Sequence, residues 1–396
     1  MDNELNLNLG LPLRVEGWEF KALLAIGTFI SLVFEYTIEV PLFWFLSSLP
    51  AWFRAWCFGA FWKPYLSLHR AFLGNRTGIH PSLSYEYHAY TTLTWATRLT
   101  PMTLSRMRFG LSQLDVFYPP SRQIRMERVN ERGGKVRGIY VRTPGAEELD
   151  DKDRKVIFWI FGGAFMAGCV KGNLGIAEQF AKDAGCDVFL VDYGLAPEHN
   201  IWDASEDVRQ GYDWLVSESG KVSSGKQVSI VGISSGGGLA VRLCQELAKK
   251  KAKRDKKFGA ASLVLISPWV HYDWENLFDS MKQNTHHEII VTQAVSDYIT
   301  PMAEVVAGGA KFRTKVSPLA YSMEGLPTTF LLSSMHEVTW DEDKALHEKC
   351  VKANVDVTFH TVKYLSHLFC FLPFIPESAD CMDAMAKFVK QKFQKQ

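Results

Sequence analysis

Hydrophobic and polar positions divide the 396-residue chain near residue 120. Beyond that point short apolar runs alternate with amphipathic stretches. Ile124–Val129 and Lys135–Val141 are separated by Gly133-Gly134 and closed by Pro144-Gly145, the punctuation of a strand pair. Val156–Phe161 is a continuous apolar run, as a strand covered on both faces requires. Ala177–Ala184 predicts a helix, Asp187–Val191 the next strand, and Ala204–Val216 another helix. Gln227–Val231 reads as a short buried strand, followed by a helix that opens at Gly237 and runs to about Lys251. Ser262–Ile266, Thr328–Leu332 and Asp356–Thr361 complete the series. Strands that alternate with helices in this way predict an α/β fold with a mostly parallel central sheet.

Before residue 120 the pattern is different. Residues 1–19 form a polar tail that starts with Asp2 and Glu4 and lacks the basic start of an ordinary secretory signal. Residues 20–62 are strongly apolar and aromatic. Ala22–Phe34 carries no charge, Glu35 and Glu39 interrupt, and Val40–Phe53 holds Trp44 and Trp52 before Arg54. A spanning helix needs about 20 apolar residues, and neither run reaches that length without a charge. Three readings stay open. Residues 20–38 span with Lys21 at one end and Glu35 near the other; the segment lies at the headgroup level on its aromatic side chains; or its helices pack on the downstream domain as part of a lid. Membrane association through residues 20–62 is the expectation, with the endoplasmic reticulum among the candidate locations. Topology is left open, because Arg14 and Lys21 on one side balance Arg54 and Lys63 on the other. Asn75-Arg76-Thr77 is a glycosylation sequon that matters only if this part faces a lumen. Residues 63–120 read as a helical lead-in and part of a cap.

Composition narrows the class. Hydrophobic residues make up 47% and charged residues 22%, which suits a globular protein with a large core. A formal net charge of +1 gives no general attraction to nucleic acid, so no nucleic-acid partner is expected. Seven cysteines with no C-x-x-C spacing read as reduced thiols. The basic run Lys249–Lys257 suits a helix C-terminus and a solvated face, with contact to anionic headgroups as the alternative.

Gly232-Ile233-Ser234-Ser235-Gly236 falls between the fifth strand of the series, Gln227–Val231, and its helix, a G-x-S-x-G at a strand-to-helix turn. A serine at such a turn sits in a strained backbone conformation, and only small neighbours let strand and helix approach; Gly232 and Gly236 supply the room. The helix N-terminus behind Ser234 favours negative charge. Taken alone, the pentapeptide also fits an ordinary Gly-rich connection. Three further motifs change its weight. Phe161-Gly162-Gly163-Ala164-Phe165, Asp192-Tyr193-Gly194-Leu195-Ala196-Pro197-Glu198-His199 and the G-x-S-x-G run together resemble the hormone-sensitive-lipase-like branch of the α/β-hydrolases. Ser267-Pro268-Trp269, Ser317-Pro318-Leu319 and Leu326-Pro327-Thr328 fall where that family has similar tripeptides. The resemblance covers residues 121–396 as a catalytic domain with a helical cap inserted at about 270–316, and its helix at Gln293–Ala307. Within the branch, the apolar N-terminus makes the chain similar to the membrane-anchored steryl acetyl hydrolases of fungi.

The resemblance implies roles for single residues. Ser234 is the nucleophile, and chain order in hydrolases then runs acid, histidine. His367, in Leu365-Ser366-His367-Leu368-Phe369, stands where the family has its base, with Leu368 in place of a glycine. Glu337 falls on the first acid of the family's D-P-L-x-D pattern and Asp341 on the second. Glu337 is the expected partner of His367, and Asp341 is the fallback acid or the cap of a helix from Glu342. The family's H-G-G-G becomes Phe161-Gly162-Gly163-Ala164, so the expected oxyanion hole is the backbone N–H groups of Gly162, Gly163 and Ser235, with the loop's usual anchor altered. His271, Asp273 and His286-His287 have no metal-ligand spacing, and no cofactor or metal is implied.

The expected function is a serine carboxylesterase or deacetylase acting through Ser234, His367 and Glu337 on a small hydrophobic ester such as an acetylated sterol or secondary metabolite. The alternatives are a non-catalytic binder on the same fold, which Ile233 in place of the family's usual Asp keeps open, and an acyltransferase. Sequence leaves the oligomeric state open.

Overall fold

A computed structural model of the chain describes residues 39–74, 79–94, 101–143, 154–252, 258–273, 275–286, 288–309 and 313–394. Residues 20–38, Asn75 and the end of the basic run at Lys257 lie outside the described residues. The chain divides after Ser48 into two compact units. In the first, α1 covers Val40–Ser48 and leaves Leu42 and Phe45 exposed.

In the second, a sheet of eight strands forms the centre: β1 Arg125–Glu131, β2 Val136–Arg142, β3 Val156–Ile160, β4 Asp187–Val191, β5 Val228–Ile233, β6 Ser262–Ile266, β7 Thr329–Ser334 and β8 Val357–Val362. The order is β1-β2-β4-β3-β5-β6-β7-β8. β1 and β2 are antiparallel to their neighbours, and the remaining pairs are parallel. Every residue of β3 to β7 is buried, which accounts for their largely apolar sequence; the polar exceptions include Asp187, Ser229 and Ser333.

The helices follow from the handedness of the crossovers. From β3 the chain steps through α5 (Val170–Ala184) toward the β1 edge. From β4 and β5 it steps back through α6 (Ile201–Ser217) and α7 (Ser235–Ala252) toward β8. Right-handed connections in opposite directions put helices on opposite faces. Accordingly α6 packs on α7, and α5 packs on α12, the C-terminal helix Pro376–Gln394. Between β7 and β8 lies α11, Trp340–Lys352. The sequence pattern placed the start of α5 at Ala177; the helix begins seven residues earlier, where the Sγ of Cys169 accepts the N–H of Gly172. Two glycines in that first half hid it. A Cβ on Gly175 would stand 1.7 Å from the carbonyl oxygen of Tyr118, so the lead-in segment lies directly on bare backbone.

The lead-in consists of α2 (Ala51–Phe72), α3 (Tyr85–Leu93) and α4 (Leu104–Ser112). The expected boundary at residue 62 is corrected: it falls inside α2, which continues through Lys63-Pro64. Proline has no N–H to give the preceding turn, so Pro64 leaves a bond unmade within the helix and does not end it. One side of α2 is anchored. Arg54 is buried, pairs with Asp115 at 2.6 Å and also bonds the Gln113 amide, while Trp62 meets Phe374 at 4.8 Å between centroids. Elsewhere along the helix Trp52, Trp56, Phe61, Leu68 and Phe72 are exposed to solvent. Among the described residues no helix is long and apolar enough to cross a membrane.

The cap insertion lies within the expected span. It contains α8 (Asp279–Gln283), α9 (Gln293–Ala307) and α10 (Arg313–Val316). α9 matches the expected range and stops at Gly308, whose φ of 77° only glycine adopts freely.

Candidate active site

Ser234 stands between the last residue of β5 and the first of α7 with φ at +50°, in the left-handed region. Such a conformation costs on the order of 1–2 kcal/mol for a residue with a side chain. The surroundings hold it there. Its N–H donates to the Ile266 carbonyl at 2.9 Å, and its own carbonyl accepts from Gly237 and Trp269, both at 2.8 Å. A Cβ on Gly232 would lie 2.6 Å from the Ala240 Cβ, and one on Gly236 would lie 2.2 Å from the Phe161 oxygen. The glycines of the motif are therefore steric requirements of this turn.

His367 sits in the loop after β8 and Glu337 in the loop after β7. The structure brings both to Ser234: His367 Nε2 is 3.0 Å from Ser234 Oγ, and His367 Nδ1 is 2.7 Å from Glu337 Oε2. All three are buried, at 8%, 2% and 0% exposure. The remaining Glu337 oxygen accepts the Ser334 N–H at 2.7 Å and the Ser333 hydroxyl at 2.9 Å, so the buried carboxylate is fully partnered. The loop of His367 is tied from two sides. Ser366 N–H donates to the Tyr87 hydroxyl at 2.8 Å, and the Ser334 hydroxyl donates to the Leu365 carbonyl at 2.6 Å. Leu368, where the resemblance implies a glycine, adopts φ +56°, in the left-handed region. Its side chain is buried against the cavity, and that burial, about 1.5–3 kcal/mol, offsets the backbone strain.

Asp341 is not brought to His367. Its carboxylate accepts the Ser280 N–H at 2.8 Å and pairs with Lys344 at 2.8 Å. Its expected role as a helix cap is also corrected: α11 starts at Trp340 after Thr339, and Asp341 lies in the first turn, where it fastens α8 to α11.

Gly162, Gly163 and Ala164 line the cavity beside Ser234. A Cβ on Gly162 would lie 2.9 Å from that of Ser234. The altered anchor of this loop has substitutes. Phe161 stacks on Tyr193 at 4.3 Å, and the Tyr193 hydroxyl donates to the Phe161 carbonyl at 2.7 Å. Phe165 N–H donates to Ser235 Oγ at 3.3 Å. Arg108 donates to the carbonyls of Met166 and Ala196 and forks onto Glu198 at 2.6 and 2.9 Å. Those bonds from Arg108 hold the Glu198 carboxyl down at about 2. Arg108 comes from α4, outside every motif, so nothing near the loop in sequence pointed to it.

The cavity encloses about 210 Å³ and is overwhelmingly apolar. Met107, Leu111 and Leu114 of the lead-in form one wall, and Ile290, Val295 and Ile299 of the cap form another, with Ile233 and Leu368 close to the serine. Sequence reading also passed over Glu288, a completely buried carboxylate of the cap that bonds the backbone of His367. Among the described residues no group of histidines, cysteines or acids could hold a metal ion; His271 bonds the Asn276 carbonyl and Asp273 the Asn276 amide. All seven cysteines are free thiols.

Comparison with known proteins adds the following. A family model described as alpha/beta hydrolase fold matches residues 157–371. An esterase of Acinetobacter venetianus is 26% identical over 314 residues, 77% of this chain and 96% of that protein. An acetyl-hydrolase of Streptomyces hygroscopicus is 25% identical over 60% of this chain and 76% of its own length. A carboxylesterase/phospholipase of Mycobacterium tuberculosis, LipF, is 27% identical over 63% and 65%. Among solved structures, EstE5 soaked with ethyl alcohol superposes with a TM-score of 0.63 at 26% identity, covering 77% of this chain and 98% of its own. An esterase from the bacterial hormone-sensitive lipase family does so with a TM-score of 0.65 at 24% identity, over 77% and 97%.

Proposed function

The chain belongs to the α/β-hydrolase fold family, and from that premise we propose that it is a serine carboxylesterase of the hormone-sensitive-lipase-like kind, acting on a hydrophobic ester. The observation that carries the reading is the unbroken chain Glu337–His367–Ser234, its serine at the wall of an apolar cavity. His367 accepts the hydroxyl proton as Ser234 Oγ attacks the acyl carbonyl, and Glu337 holds the imidazole in the tautomer that can do so. Imidazolium then gives that proton to the departing alcohol. Water, deprotonated by the same histidine, releases the acid and restores the serine. Gly162, Gly163 and Ser235 offer backbone donors to the oxyanion; Ala164, next in the same cavity-lining turn, is a further donor that the sequence reading did not weigh.

The cavity's apolar lining supports a hydrophobic alcohol, and the acetyl-hydrolase relative supports a short acyl group, so the proposed substrates are an acetylated sterol or secondary metabolite. Hydrolysis is favoured over mere binding because the serine is both strained and hydrogen-bonded to a base, an arrangement with no use in a binder. We further propose contact with a lipid surface by the N-terminal region, supported by the exposed aromatic residues of α2.

The test is hydrolysis of p-nitrophenyl acetate, butyrate and octanoate by wild type and Ser234→Ala. Removal of the nucleophile should lower kcat by about 10⁴-fold or more, with acetate or butyrate preferred over octanoate. Equal rates for the two proteins would overturn the esterase reading.

A further inference from the structure

Burying a carboxylate is costly unless donors surround it, so the partners of Glu288 show what it is for. This side chain is 0% exposed and belongs to the cap segment between α8 and α9. Its Oε2 accepts the backbone N–H of His367 at 2.9 Å, and its Oε1 accepts the same N–H at 3.1 Å. The same Oε1 accepts the backbone N–H of Val338, the residue after Glu337, at 3.0 Å. One carboxylate therefore gathers the main chains that carry the acid and the base. Two and three residues further on, Ile290 and Val291 line the cavity, so the clamp is rooted in the wall a bound ester touches.

We propose that Glu288 is a positioning residue of the ester hydrolysis assigned above, and that it couples the cap to the base. The inference rests on that assignment. Glu288 touches no reacting atom; it sets the height and tilt of the imidazole between Ser234 and Glu337. The bond Asn284 Nδ2 makes to the Glu337 carbonyl, at 3.0 Å, fastens the same loop to the cap a second time. A closed cap thus holds the triad in register, and a displaced cap releases it.

The experiment uses the full chain with Glu288→Gln and Glu288→Ala, reading kcat and KM on p-nitrophenyl butyrate. A second readout is the rate at which a fluorophosphonate labels Ser234, and thermal unfolding monitors the fold. Gln fits the same volume and keeps one acceptor but sets an amide N–H group against a backbone N–H. It should fold as wild type and lower kcat roughly tenfold, with KM within about twofold and labelling slowed in step. Ala should lower kcat on the order of 100-fold, the scale expected when a catalytic group is misplaced by about 1 Å. The inference is overturned if Gln folds and keeps wild-type kcat and labelling, or if activity in both variants is lost only in proportion to the unfolded fraction. Failure of the esterase reading looks different: wild type itself neither turns over the ester nor labels at Ser234.

Discussion

At the scale of single residues, the site depends on what small side chains leave out. Gly162 faces the nucleophile so closely that a Cβ there would meet the Ile233 oxygen at 2.7 Å and the Ser234 Cβ at 2.9 Å. The nearest obstacle is backbone, which cannot swing aside. Gly162→Ala should therefore push the elbow or the donor loop out of place and cost roughly 100-fold in kcat, measured on the same p-nitrophenyl esters; unchanged kcat would mean that the loop has slack. Sequence showed this glycine and the elbow because close approach leaves a local signature. It showed Ser234, His367 and Glu337 through the order of motifs. The supports were silent, since Tyr87, Arg108 and Glu288 act through long-range bonds that no local pattern encodes. Leu368 is the instructive case: its conformation is one that glycine serves better, and only its burial explains it.

Among elements, α11 carries a cost of its own. Asp343 in its first turn is buried and its carboxyl is pushed well above the ordinary carboxylate range, first by burial and then by the nearby Glu337 and Glu342. The folded protein thus keeps a proton that the unfolded chain releases near pH 3.9. Stability from this group is complete below that value and declines as pH rises toward the folded value. Asp343→Asn keeps an acceptor for the Thr339 hydroxyl, which lies 3.2 Å away, and removes the ionisation. Its Tm relative to wild type should rise between about pH 5 and about pH 8; an offset that stays constant with pH would sink the idea. Element types and order were legible because β3 to β7 are mostly apolar and the helices between them amphipathic. Two boundaries were not. The start of α5 was masked by glycines needed for contact with the lead-in, and α2 ran past a proline because tertiary anchors at Trp62 and His69 hold both halves.

For the whole molecule, a net charge near zero leaves little electrostatic attraction to a bilayer, so lipid contact must come from apolar area. The exposed aromatic residues of α2 offer it, with Trp56 65% and Phe61 50% exposed. A variant with Trp52→Ser, Trp56→Ser and Phe61→Ser should bind phosphatidylcholine vesicles at least about tenfold more weakly in flotation, since a loss of about 1.4 kcal/mol suffices. Added salt should change little, and wild-type flotation of the variant would remove α2 from the contact. The placement of the site along the chain has a further consequence, one of timing. Ser234 and His367 are separated by 133 residues, and the His367 loop leans on Tyr87, which lies 279 residues before Ser366. A ribosome adding about 5–20 residues per second needs on the order of ten seconds to reach the histidine after the serine has been made. Under the proposed mechanism the nascent chain holds a serine with no base through that interval, so ester hydrolysis waits until the last strand has taken its place, and a message cut short before that codon yields an inert product.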